Sequence, residues 1–240
     1  MGNAKLLKVK GDEMKQSKRL KIIIDSSMLG LLFISMAYLL IGEEIHEWIG
    51  VVLILLFMGH NIINHRWYMS MFRGKYISIR IFQEIINIMM VLSIIGLMIS
   101  GVIVSRYVFK FIKFSSFTSF ARTLHMLSAY WGFTSISLHL GLHFESIIGK
   151  IKKIVSEKKR AKSIKWILRI MAMFIVAYGV YALFKNDILS YMFLQKQFIF
   201  FNTEQPIILF FIDYIAIMGM WAWISYYFRV FLFKSASLRR

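Results

Sequence analysis

HMLSAYWGFTSISLH, residues His125 to His139, and HEWIGVVLILLFMGH, residues His46 to His60, are two apolar stretches that each begin and end on a histidine. At ~1.5 Å rise and ~100° per residue, their shared spacing climbs about 21 Å and falls about 40° short of four turns. Both histidines of a stretch therefore lie on nearly one face of a helix, at two depths. Two such helices laid side by side offer two sites, one above the other, each with two imidazoles.

The remainder of the 240-residue chain says what surrounds those helices. It is 58% hydrophobic, with one proline and no cysteine, and its mean hydropathy is +0.64. A soluble domain would be about 45–50% apolar. The excess is gathered in runs of about 20 residues, the length that a ~30 Å hydrocarbon core requires. This implies a multi-span, all-α integral membrane protein in contact with a lipid bilayer. The absence of cysteine excludes disulfides, thiolate-held iron–sulfur clusters and covalent haem attachment through CxxCH. A formal charge of +18 raises nucleic acid as a partner. The basic residues, however, sit in short loops between apolar runs, which is the positive-inside pattern and speaks against that partner.

Six spans are predicted, at about 20–41, 45–68, 79–104, 123–147, 164–184 and 206–233. They organise the chain as a basic tail (1–19), a four-helix core (20–147), a basic loop (148–163), and a region of two further spans with the C-terminus (164–240). The tail MGNAKLLKVKGDEMKQSKRLK is too long and polar for a signal-peptide n-region, and position 6 is not the Ser or Thr of a myristoylation motif. Gly42-Glu43-Glu44 reads as a tight turn, and Pro206 as a first-turn proline. With the N-terminus inside, inner segments hold 24 Lys and Arg and outer loops 6. Both termini are therefore expected in the cytoplasm. The second and fourth spans then run the same way, with His46 and His125 toward the outside and His60 and His139 deeper.

A polar ring at membrane depth marks a functional site by default, and neutral imidazole is a strong axial ligand for haem iron. Four histidines at doubled, equal spacing imply two non-covalent b haems, His46 with His125 outside and His60 with His139 inside. Gly132, midway between His125 and His139, together with Gly50 and Ser128, would clear room beside the macrocycles or simply let helices approach. His143 shares the ligand face but lies about 27 Å from His125 along the axis, so it is read as a neighbour of a haem propionate or a quinone. His65, beside Arg66, reads as interfacial. His139 and His143 form HxxxH without the zincin glutamate, since Leu140 stands in its place. A polytopic metal-ion transporter using those histidines is the alternative. Asp25, Glu84 and Asp213 are candidates for proton relay or for pairing with helix-end cations. Glu43, Glu44 and Glu47 ring the outer mouth.

HEWIGVVLILLFMGHNIINHRWY, RTLHMLSAYWGFTSISLHLGLHF and the closing block TEQPIILFFIDYIAIMGMWAWISYY together resemble the flavinylation-associated cytochrome b domain family. More distantly, they are similar to di-haem cytochrome b and ferric reductase membrane domains. The resemblance covers about 20–147 and 165–230, and matches the family's histidine blocks at His46, His60, His125, His139 and His143. It departs at His65, where relatives often carry tryptophan. It implies a multi-pass protein of the bacterial cytoplasmic membrane with a four-helix di-haem bundle and two additional helices. Such a protein would pass electrons from the quinone pool or a cytoplasmic donor to an extracytosolic FMN-binding protein, as the electron-transfer component of an oxidoreductase system.

Overall fold

The computed structural model describes residues 2–71, 77–112, 115–144, 161–196 and 206–237. Of these, 88% are α-helical, and the described residues contain no strand. Helices satisfy every backbone polar group within the segment, which apolar surroundings demand. Most of the basic loop 148–163 lies outside the described residues, as do Arg73, Lys75 and Lys113. Two compact units emerge, Met1–Gly74 and Lys75–Arg240.

The first unit contains α1 (Gly2–Met36), α2 (Tyr38–Ile41), α3 (Glu43–Ile63) and α4 (Arg66–Met71). α1 and α3 run antiparallel. Lys21 Nζ donates to Asn64 Oδ1 at 2.9 Å, and Asp25 meets His60 one turn further along. The run predicted as one span at 20–41 is not a single helix. It breaks at buried Ala37, whose N–H bonds Ile34 O in a tighter three-residue step. The chain then turns at Gly42, with φ 84°, a conformation only glycine adopts without strain. Tyr38 Oη donates to Glu43 Oε1 across this turn at 2.9 Å. The second predicted span, 45–68, also ends early, at Ile63. Asn64 donates both its backbone N–H (3.0 Å) and its side-chain amide (2.9 Å) to His60 O. Satisfying last-turn carbonyls in this way stops the helix, and the chain restarts as α4.

The second unit contains α5 (Ser78–Val104), a 3₁₀ turn (Ser115–Phe117), α6 (Thr118–Leu142), α7 (Ala161–Lys185), α8 (Ile188–Met192) and α9 (Ile207–Ser237). α6 lies at its centre, burying Ala121, Met126, Tyr130, Gly132, Phe133, Thr134, Ser135 and Ser137. α5 packs against it antiparallel, with Gly96 against Ser128 and Gly132 against Ser93. α9 packs parallel to it, with Phe133 on Tyr214 and Gly141 on the Ala222 backbone. α7 runs antiparallel to α9, where Gly179 and Gly219 let the two approach closely. Close small-residue contact of this kind is how helices associate when surrounding lipid supplies no hydrophobic drive.

Among the described residues, four helices are long and apolar enough to cross a membrane: Glu43–Ile63, Ser78–Val104, Trp166–Lys185 and Ile207–Ser235. Large apolar side chains stand exposed on them, including Leu55, Leu92, Phe174 and Ile208, a surface suited to acyl chains rather than water. α6 has the length but carries Ser, Thr and His side chains turned into the protein. The short α8 docks on α6, with Ile188, Tyr191 and Met192 buried. Trp131 Nε1 donates to Met192 O at 3.0 Å, and Tyr130 stacks on Tyr191 at 5.0 Å. Asp187, left-handed at φ 52°, accepts from Lys196 Nζ at 2.6 Å. That hydrogen bond holds the Lys196 ammonium above the usual lysine range.

A Cβ on Gly141 would collide with backbone atoms of Ala222, including its carbonyl oxygen, which cannot turn aside. Gly141→Val is therefore expected to destabilise by about 1–3 kcal/mol through overpacking, read as a lower unfolding midpoint in detergent. Gly132→Ala meets Ser93 Cβ at 3.4 Å, an ordinary contact, and is expected to move the midpoint far less.

Candidate functional site

Three of the four predicted ligand histidines share one hydrogen-bonding state. His60, in the last turn of α3, has Nδ1 2.7 Å from Asp25 Oδ1 on α1. A carboxylate only accepts, so a hydrogen sits on Nδ1, and in the neutral ring Nε2 carries the lone pair. The amide nitrogen of Asn64, a donor, faces that Nε2 at 3.4 Å, which agrees with this tautomer. On α6, His125 has Nδ1 3.1 Å from Ser100 Oγ. Ser100 directs its own hydrogen to Gly96 O at 2.6 Å, so its oxygen accepts from His125. His139 has Nδ1 2.8 Å from Asn87 Oδ1, an acceptor again. In each case the orienting oxygen comes from the antiparallel neighbour, α1 in the first unit and α5 in the second. In each case Nε2 becomes the basic nitrogen.

His46 occupies the first turn of α3 and takes a backbone bond to Gly42 O at 3.1 Å. Its ring meets Tyr38 edge-on, with centroids 5.2 Å apart. The register that sets Phe133 on Tyr214 and Gly141 on Ala222, carried back along both helices, places His125 level with Pro206 just before α9. His139 lies four turns further along α6.

The small residues separate into two kinds. A Cβ on Gly132 would touch Ser93 Cβ at 3.4 Å and Leu97 Cδ1 at 3.9 Å. Gly132 therefore serves the approach of α5 to α6 and does not front open space. Ser128 packs against Gly96 in the same seam. Gly50, one turn beyond His46, has no described atom within 4 Å of where its Cβ would stand.

His143 follows the end of α6 and is exposed, its ring centroid 4.7 Å from that of His139. Among the described residues, no group of three or more His, Asp or Glu side chains is gathered to hold a metal ion. His65 is exposed and directs Nδ1 to Ile62 O at 2.8 Å, a local bond within the turn after α3.

The acidic residues take three different partners. Asp25 pairs with a histidine rather than with a helix-end Lys or Arg. Glu84 lies 3.9 Å from Arg80 at i, i+4 on α5. Asp213 is fully buried on α9 and gathers Tyr178 Oη (2.6 Å), Lys185 Nζ (2.8 Å) and Asn186 Nδ2 (3.1 Å), all from α7 and the turn after it. It is the electrostatic clasp between α7 and α9. Ser100, Asn87 and Asn64 were not singled out by sequence reasoning. The available signal was polarity, since isolated polar residues in the apolar run 78–104 need partners at membrane depth. No family model, curated protein or solved structure matches the chain.

Proposed function

We propose that this chain is a membrane-embedded di-haem b-type cytochrome that passes electrons across a bilayer, with His46 and His125 as axial ligands of an outer haem and His60 and His139 of an inner one. The observation that supports this most is the common state of His60, His125 and His139. Each donates through Nδ1 to a fixed oxygen and presents a basic Nε2, the arrangement that metal-ligating histidines adopt. The donor set thus fits b haem, which when bound supplies a one-electron ferric–ferrous couple. The pairing of ligands rests on the equal sequence spacing of the two stretches.

Six crossings with both termini in the cytoplasm agree with the Lys and Arg asymmetry, with the antiparallel packing of α1 on α3, α5 on α6 and α7 on α9, and with the parallel packing of α9 on α6. The resemblance to the flavinylation-associated family supports a place in the bacterial cytoplasmic membrane. It also supports a quinol or cytoplasmic donor and an extracytosolic FMN-binding acceptor. A metal-ion transporter built on His139 and His143 has the adjacency of those two rings in its favour, 4.7 Å between centroids.

A pyridine haemochrome assay and a reduced-minus-oxidised spectrum of the purified, haem-supplemented protein test the reading. Two b haems per chain are expected. A chain that takes up no haem and instead retains zinc or copper in stoichiometric amount establishes the transporter.

A further inference from the structure

We infer that Asp25, Ser100 and Asn87 are positioning residues for the ligating histidines, and that Asp25, the only anion among them, sets the centre ligated by His60 at a lower reduction potential than the centre ligated by His125. The inference rests on the di-haem reading above.

A hydrogen bond to an ionised acceptor is shorter and roughly twice as strong as a neutral one. Asp25 meets His60 Nδ1 at 2.7 Å, and Asn87 meets His139 Nδ1 at 2.8 Å through a neutral amide oxygen. Ser100 meets His125 Nδ1 at 3.1 Å through a hydroxyl. Ser100 is also engaged with the carbonyls of Gly96 and Leu97, at 2.6 and 3.3 Å. The stronger the acceptor, the further the Nδ1 proton is drawn from the ring and the more electron-rich Nε2 becomes. An electron-rich ligand favours ferric over ferrous iron and lowers the potential. The order His60, His139, His125 therefore runs from strongest to weakest donor.

The neighbouring cation does not cancel this. Lys21, one turn before Asp25 on α1, directs its ammonium to Asn64 Oδ1 at 2.9 Å rather than to the carboxylate. The carboxylate acts through a direct hydrogen bond. Asn64 Nδ2 faces His60 Nε2 at 3.4 Å and donates to His60 O at 2.9 Å, so a ligand at Nε2 requires that amide to turn aside.

The test is optical potentiometric titration of the full-length, haem-loaded protein in detergent, with ferric low-spin EPR as a second readout. The wild type is expected to resolve two potentials. Asp25→Asn keeps an acceptor oxygen but removes the charge. It is expected to raise only the lower potential, by at least a tenfold change in the ferric-to-ferrous preference, about 59 mV for one electron. Asp25→Glu is expected to keep the lower potential near the wild-type value, and Ser100→Ala to leave it unmoved. If Asp25→Asn fails to load haem, Asp25→Glu decides alone, since a carboxylate retained without a low potential contradicts the proposal. An unchanged lower potential in Asp25→Asn with both haems present overturns the inference while the di-haem reading stands. A wild-type chain that binds no haem, read from the haemochrome before any titration, overturns both.

Discussion

Replacing His125 with alanine is expected to halve the haem content, from two b haems per chain to one, and to leave a single potential in the titration. The effect is large because an axial imidazole has no understudy on this part of α6. Ser100, whose hydroxyl meets the His125 ring at 3.1 Å, is a poor ligand for haem iron beside imidazole. The other centre should survive because His139 has its own orienting oxygen on Asn87, about 21 Å away along the helix. His46→Ala is expected to give the same loss, since it removes the other ligand proposed for the outer centre. The lower centre allows a sharper comparison. His139 is held by Asn87, while His143 follows the helix end and is exposed. His139→Ala is therefore expected to empty the inner centre, and His143→Ala to keep it with a shifted spectrum. If His143→Ala loses that haem and His139→Ala keeps it, the inner ligand is His143. Haemochrome stoichiometry on the four single variants decides each of these points.

The second large effect is on stability. Lys185→Met removes the cation from Asp213, whose side chain is 0% exposed against 30% for Lys185. The carboxylate cannot turn to solvent, and stranding a buried charge in this way costs about 3–5 kcal/mol. Tyr178 and Asn186 still donate to it, which places the expected loss at the lower end of that range. Asp213→Leu is expected to be milder, because the ammonium left behind sits at the C-terminal end of α7, is partly exposed and can reach water. Combining Lys185→Met with Asp213→Leu should recover most of the loss, since apolar replacement of a buried pair is often neutral or stabilising. Unfolding midpoints of the two single variants and the double variant in detergent give the coupling directly. A double variant as unstable as Lys185→Met would show that the pair is not what holds α7 to α9.

Much of this was legible in the sequence, and what was not has physical reasons. Apolar runs and basic loops located the long helices after the first to within about five residues, because hydrophobic length is a property of the segment alone; α1 instead begins at Gly2, inside the stretch read as a basic tail, and ends at Met36. The histidine spacing was equally plain. The early end of α3 was partly visible, since Asn61 and Asn64 can each bond a carbonyl four residues back, but whether they do so depends on the local fold. The docking of α8 was not legible. ILSYM is too short to show a period, and its burial is decided by Trp131 and Tyr130 on a distant helix. The orienting oxygens belong to the same class. Ser100 and Asn87 look like any polar residue in a span until the antiparallel register of α5 and α6 sets them opposite His125 and His139. Gly132 was readable as a small residue on the right face, but not as a contact with Ser93.

The buried, polar character of α6 has a consequence for how the chain is made. A segment carrying Arg122, two histidines, Ser128, Thr134, Ser135 and Ser137 gains little by partitioning alone from the translocon into lipid. Its neighbour α5 is strongly apolar and carries the oxygens that His125 and His139 need. The two are expected to leave the insertion machinery together as a hairpin, with the seam already closed. A nascent chain stopped just after α5 should integrate by itself, while α6 presented without α5 should slip through to the far side.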